Sequence, residues 1–212
     1  GENPEEFKKD NTNIHLISRK HSSFFEQKYI PNIIKKNSSS IFHIPQNGVG
    51  YKDLVSSDKF KIIVTIHDLI PYALPQTVGK SYLKNFLKQI PYVIEQSSSI
   101  ITVSEYSKQE IIRFFSVDPN KIFVTPLATN KIFKPLNIDF CKNFIKEKYN
   151  IDYDFILYLG GFSKRKNIYN LILSFEKAHK NFNKPTKLIL LGNIRDEFKI
   201  LNNLIQEKNL QD

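Results

Sequence analysis

The sequence contains no methionine and no tryptophan, one cysteine and only 7 glycines in 212 residues. The single cysteine, Cys141, excludes an internal disulfide framework and a cysteine-rich zinc site, and it fits a reducing compartment. No apolar run approaches the roughly 20 residues that cross a bilayer. No basic segment followed by an apolar stretch reads as a secretion signal, so a cytoplasmic location is expected. Intact translation products begin with methionine, so Gly1 is expected to be a processed or cut start. Neither a Walker loop nor a G-x-G-x-x-G fingerprint occurs. No two histidines share the helical spacing of metal ligands, and no bound metal or cofactor is expected.

Acidic residues are also in the minority. Lys and Arg number 31 against 21 Asp and Glu, giving a formal charge of +10. Such an excess favours anionic partners, meaning phosphates, acidic lipid or nucleic acid. The cations are spread along the whole chain and no nucleic-acid recognition module is present, so no nucleic-acid partner is expected. Hydrophobic residues make up 41% of the chain, with 17 phenylalanines, which is too apolar for a disordered protein.

Short β-branched runs alternate with longer helical patterns, the arrangement of a parallel α/β sheet with crossover helices. Strands are expected at Asn13–Ile17 (weak), Ser40–Ile44, Lys61–Ile66, Ser99–Val103, Lys121–Thr125, Phe155–Leu159 and Lys187–Leu191. Their uniformly apolar composition predicts cover on both faces. From Lys80 to Gln96, Leu83, Phe86, Leu87, Ile90 and Ile94 recur at helical spacing, and Pro91 is expected to bend or interrupt that helix. Ser104 stands where an N-cap belongs, ahead of a helix burying Ile111, Ile112 and Phe115. Asn167 is expected to cap a helix through Ile168, Ile172 and Phe175, and a last helix is expected over Arg195–Lys208. The aperiodic segment Pro126–Pro135 places a domain boundary near residue 130. That gives one domain over residues 1–130 and a second over 131–212.

Ligands of open α/β sheets bind beyond the carboxyl ends of the strands. The polar residues there are His43 and Asn47, His67 and Asp68, Ser104 and Glu105, and the run Gly160-Gly161-Phe162-Ser163-Lys164-Arg165-Lys166. Two glycines permit a sharp turn and close backbone approach. The cations that follow are expected at a helix N-terminus, which itself favours an anion. They make a diphosphate clamp plausible, although a solvated basic turn is the commoner explanation of such a triplet. His67 ends an apolar strand, and a neutral imidazole there can hydrogen-bond a sugar hydroxyl or stabilise developing positive charge. A lone strand-end histidine is more often structural. Asp68 suits capping of the following loop better than chemistry. Lys80, Lys84 and Lys88 form a stripe suited either to solvent or to the surface of an anionic membrane.

The segments FHIPQN, VTIHDLIPYALP, SSSIITVSEYSKQEI, KIFVTPLATNKIFKP, YLGGFSKRKNIYNLILSF and KLILLG occur together and in order between Phe24 and Gly192. In that combination the chain resembles family 4 of the retaining glycosyltransferases. The resemblance implies a GT-B fold, with two Rossmann-like doubly wound domains flanking a cleft. The first domain would hold a glycan or lipid-linked acceptor, with His43, Asn47 and Asp68 on that side. The second, incomplete here, would hold a nucleotide-sugar donor. His67 would correspond to the family's cleft histidine. Gly160, Gly161, Arg165 and Lys166 would bind the donor diphosphate without a metal. Gly161 stands where many members carry Arg, which leaves Arg165 and Lys166 more of the anion binding. Ala128 and Asn130 replace frequent Gly and Asp. The family's pair of glutamates is expected beyond Asp212, and a first strand with its glycine-rich turn before Gly1, so this polypeptide alone is expected to be inactive. The alternative is a non-catalytic partner subunit that keeps the fold and lacks the donor-site glutamates.

Overall fold

A computed structural model describes residues 8–12, 29–36, 40–48, 60–193 and 197–211. The strand expected at Asn13–Ile17 lies outside these residues, as do His15 and His21. The chain divides into two compact units, residues 1–128 and 129–212.

In the first unit, a short helix α1 (Ile30–Lys36) precedes β1 (Ile41–Ile44) and β2 (Lys61–Ile66). Helices α2 (Ile70–Ala73) and α3 (Lys80–Gln96) lead to β3 (Ser99–Thr102), and α4 (Glu105–Phe115) leads to β4 (Ile122–Val124). All pairings are parallel, in the order β1-β2-β3-β4. Sequential order of this kind is one half of a doubly wound sheet. Central strands covered on both faces need apolar side chains up and down, and Ile62, Val64, Thr65 and Ile66 of β2 are all buried.

Helix α3 seals one face through Phe86, Gln89, Ile90, Val93 and Ile94. Leu87, expected on the same arc, instead points outward and is 40% exposed. The buried arc centres on Phe86 and Val93, and one further residue turns 100°, placing Leu87 among the lysines. Nor does Pro91 interrupt the helix, which is continuous through it. Proline cannot donate to the carbonyl of Leu87, four residues back. The Tyr72 hydroxyl donates to that carbonyl instead, at 3.4 Å. The Tyr72 ring packs edge-on to Phe86 and Phe115, and burial pushes its phenol pKa up. At the far end of α3, Lys121 Nζ donates to the carbonyls of Ile94 (2.9 Å) and Glu95 (3.5 Å). Desolvation lowers the Lys121 pKa, opposed by the charge of Glu95.

Ser104 caps α4 as expected, its side chain accepting from the Ser107 amide at 3.2 Å. Ser104→Ala is expected to cost about 1 kcal/mol of stability, measurable as a lower urea midpoint with an unchanged slope. Of the apolar residues expected inside this helix, Ile111 is buried and Ile112 and Phe115 are half-buried.

The second unit carries α5 (Ile138–Tyr149), β5 (Asp154–Leu159), α6 (Ile168–Ala178), β6 (Thr186–Leu191) and α7 (Phe198–Glu207). Strands β5 and β6 pair in parallel over six residues each. Phe162, Ile168, Ile172, Leu201 and Leu204 form its core. The expectation of cover on both faces fails here. In β5, Ile156, Leu157 and Leu159 are 43%, 51% and 73% exposed. Among the described residues β6 is the only strand beside β5, and α5 buries none of its side chains. All residues from 125 to 140 are exposed.

Candidate functional site

Two groups of polar residues stand at carboxyl ends of strands, one in each unit. In the first unit, β1 runs into a left-handed turn at Asn47 (φ 48°) and Gly48 (φ 66°). Gly48 is buried, and a Cβ there would overlap Val93 of α3. Only glycine therefore lets the turn sit this close to the helix. The Asn47 amide donates to the Thr65 carbonyl at 2.8 Å, locking the turn to β2.

That lock positions His67, which follows β2 and is half-buried. Its amide donates to Asn47 Oδ1 at 2.8 Å. Its carbonyl accepts from Ser107 Oγ at 3.1 Å, and its ring Nε2 lies 2.9 Å from the Pro45 carbonyl. Asn47 and His67, both singled out from sequence, are thus brought together. Asp68 accepts from the Ile70 amide at 3.1 Å, which occupies it at the start of α2. His43 lies within β1, not after it, and its Nε2 is 2.8 Å from Thr65 Oγ1.

In the second unit, β5 ends at Leu159 and is followed by Gly160, whose amide donates to the Leu191 carbonyl at 2.9 Å. Gly160 has φ 158°, and an added Cβ would stand 2.8 Å from the Tyr158 hydroxyl. That hydroxyl donates to the Gly161 carbonyl at 3.1 Å. Phe162 then drops into the core between Tyr158 and Phe198, with ring centroids 6.3 and 6.2 Å away. Its backbone bridges to Asn193 and Glu197 in the segment after β6. Gly192 is tighter still, since a Cβ there would overlap the Gly160 carbonyl. The turn is therefore held from below by an aromatic anchor and from the side by the neighbouring strand end.

Lys164, Arg165 and Lys166 form a 3-10 turn after this anchor. The expectation that they occupy the N-terminus of a helix is corrected: α6 starts at Ile168. Asn167 between them has φ 55° and ψ 38° and makes no side-chain cap. It reverses the chain from the 3-10 turn into α6, a left-handed conformation that Asn tolerates, and it cannot cap from there. All three cations are exposed, and none has an ion pair among the described residues. Three exposed cations on a hydrogen-bonded turn beside two glycines are suited to gripping a polyanion such as a diphosphate. Sequence reasoning gave no role to Ser107 or Gly48 and did not foresee the anchoring by Phe162 or the packing of Gly192. The glycines were visible as letters, but their need for close approach is a tertiary fact.

Each unit carries a parallel α/β sheet, and solved structures of glycosyltransferases share this GT-B fold. A mutant of S. aureus TarM in complex with fondaparinux, alpha-GlcNAc-glycerol and UDP superimposes with a TM-score of 0.59 at 16% identity. The match covers 90% of this chain and 34% of that one. A glycosyltransferase from Rickettsia africae gives 0.55 at 20% identity, over 95% of this chain and 52% of that one. The sequence profile of Glycosyltransferase Family 4 matches residues 4–130, and the chain belongs to that family. An O-antigen chain mannosyltransferase B of Escherichia coli is 27% identical over 62% of this chain and 35% of its own length. The O-antigen chain mannosyltransferase RfbU of Salmonella typhimurium is 22% identical over 93% of this chain and 58% of its own. The chain thus spans about a third and somewhat over half of these two relatives.

Proposed function

We propose that this chain belongs to a retaining hexosyltransferase of polysaccharide assembly that transfers a sugar from a nucleotide-sugar donor to a glycan or lipid-linked acceptor. An acceptor hydroxyl attacks the anomeric carbon, and a nucleoside diphosphate departs. In this reading residues 1–130 are the acceptor-side domain and residues 131–212 belong to the nucleotide-sugar-binding domain. The names of the two O-antigen relatives make mannose the sugar to test first. The observation that carries the reading is the anchored turn from Gly160 to Lys166, whose three cations have no ion pair among the described residues. Arg165 and Lys166 take up charge on the departing diphosphate, a role that needs no metal ion. His67 contacts the donor sugar, while Asn47, Asp68 and His43 line the acceptor side. The test is a panel of nucleotide-sugars offered to the full-length gene product, with released nucleoside diphosphate and sugar transfer both measured. Release above background from a nucleotide-mannose supports the reading. A complete panel without release would sink it.

A lipid-linked acceptor would be met at a membrane surface, on the cytoplasmic face. No helix among the described residues is long and apolar enough to cross a bilayer. The outer face of α3 carries exposed Lys80, Lys84 and Lys88 around Leu87, and none of the three lysines is ion-paired among the described residues. That face is proposed to rest on anionic lipid. A Lys near an anionic surface contributes about 1 kcal/mol, so replacing all three by Gln is expected to lower partition onto phosphatidylserine vesicles by about a hundredfold. Co-sedimentation with anionic and zwitterionic vesicles checks this, and equal partition of variant and wild type would remove α3 from any membrane contact.

A further inference from the structure

The hydrogen bonds around His67 carry more than its position. The Pro45 carbonyl, 2.9 Å from Nε2, has lone pairs and no hydrogen, so it can only accept. Nε2 must therefore carry a proton in any state that keeps this bond. In the neutral ring the other nitrogen, Nδ1, is then bare. Among the described residues Nδ1 has no partner. The rest of the residue is fixed at both ends of its backbone, by Asn47 at the amide and by Ser107 at the carbonyl. Ser107 is itself buried and tied to the Ser104 hydroxyl at 3.1 Å.

We infer that neutral His67 is locked as the Nε2–H tautomer and recognises its ligand solely as a hydrogen-bond acceptor, through Nδ1, with Asn47 and Ser107 as the residues that position it. The ligand group must then be a donor. At neutral pH the diphosphate of a nucleotide-sugar offers acceptor oxygens, so it is excluded as the partner of neutral His67. The hydroxyls of the sugar are the matching chemistry, and this part rests on the donor-binding reading above.

The chain supplies its own comparison. His179 Nδ1 lies 3.0 Å from the Phe175 carbonyl, so by the same logic His179 carries its neutral-state proton on the opposite nitrogen. Imidazole ¹⁵N NMR of the protein at pH 8 reads both, with only 5 histidines to resolve. The His67→Gln spectrum supplies the assignment. The expected result is Nε2–H for His67 and Nδ1–H for His179. A proton on Nδ1 of His67, or an averaged signal like that of a free imidazole, would overturn the inference. Asn47→Ala and Ser107→Ala should each move His67 toward the averaged signal and leave His179 unchanged. No movement in either would remove those two residues from a positioning role.

Turnover then tests the acceptor. His67→Asn places an amide oxygen near the position of Nδ1 and should stay within about tenfold of wild type. His67→Gln keeps the reach to Pro45 and loses the acceptor. An unsatisfied ligand hydroxyl then lowers kcat/KM by about a hundredfold. Equal losses in the two variants would contradict recognition through Nδ1. A wild-type enzyme inactive on every nucleotide-sugar would instead sink the glycosyl-transfer reading, because the tautomer is read on the protein without ligand.

Discussion

Alanine at Arg165 or at Lys166 is expected to lower kcat/KM for the nucleotide-sugar by about 10- to 150-fold in the full-length gene product. The figure follows from loss of one charge-assisted hydrogen bond to a diphosphate, about 1.5–3 kcal/mol. Both side chains are exposed and unpaired among the described residues, so their removal disturbs no packing and stability should stay within about 0.5 kcal/mol. That separation is diagnostic, since activity falls and the melting temperature does not. Because the two residues are adjacent, the double variant should fall short of the product of the single effects if they share one phosphate. Arg165→Lys should recover part of the loss, because a point charge remains while the two-pronged contact does not. Activity equal to wild type in both single variants would take the triplet out of the site.

Gly192→Ala is expected to be the most damaging single change outside the charged residues. The new Cβ would meet the Gly160 carbonyl, which is backbone and cannot rotate away. One strand end must therefore shift. Overpacking of this kind costs typically 1–3 kcal/mol, and the shift falls on the residue that begins the basic turn. A misplacement of about 1 Å at a binding group costs on the order of a hundredfold in rate. Here, unlike at Lys166, both the thermal midpoint and the turnover should drop. Gly79→Ala is the matching control, because nothing lies within 4 Å of its added Cβ. Its turnover should equal that of wild type. Equal behaviour of the two alanine variants would mean that Gly192 does not support the turn.

Much of the first unit is legible in the sequence because burial and local pattern agree there. Lys61–Ile66 and Lys80–Gln96 run over the expected residues, since β2 is covered on both faces and α3 on one. Ser104 is legible because an N-cap is local chemistry. The misreadings share a cause, which is that they depend on contacts made at a distance. Pro91 is expected to disturb α3 until Tyr72, nineteen residues earlier, is seen on the orphaned carbonyl. Asn167 looks like a cap until its left-handed backbone is known. The apolar letters of β5 imply a covered strand, yet cover comes from neighbours that a strand's own letters do not describe. Among the candidate residues, His67 and Asn47 in the first unit and the cations near 165 in the second are legible as polar letters after apolar strands. The sequence does not reveal that Ser107 and Pro45 hold the histidine, or that Phe162 anchors the basic turn.

We propose the turn from Gly160 to Lys166 as a diphosphate site. Calorimetric titration of nucleoside diphosphates into the full-length gene product tests it most directly, with the corresponding nucleosides as controls and the double variant Arg165→Ala, Lys166→Ala alongside. Saturable binding of a nucleoside diphosphate, at least tenfold tighter than its nucleoside and weakened by at least tenfold in the double variant, is the predicted result. Diphosphate affinity that is indifferent to both cations, or no tighter than that of the bare nucleoside, would contradict it.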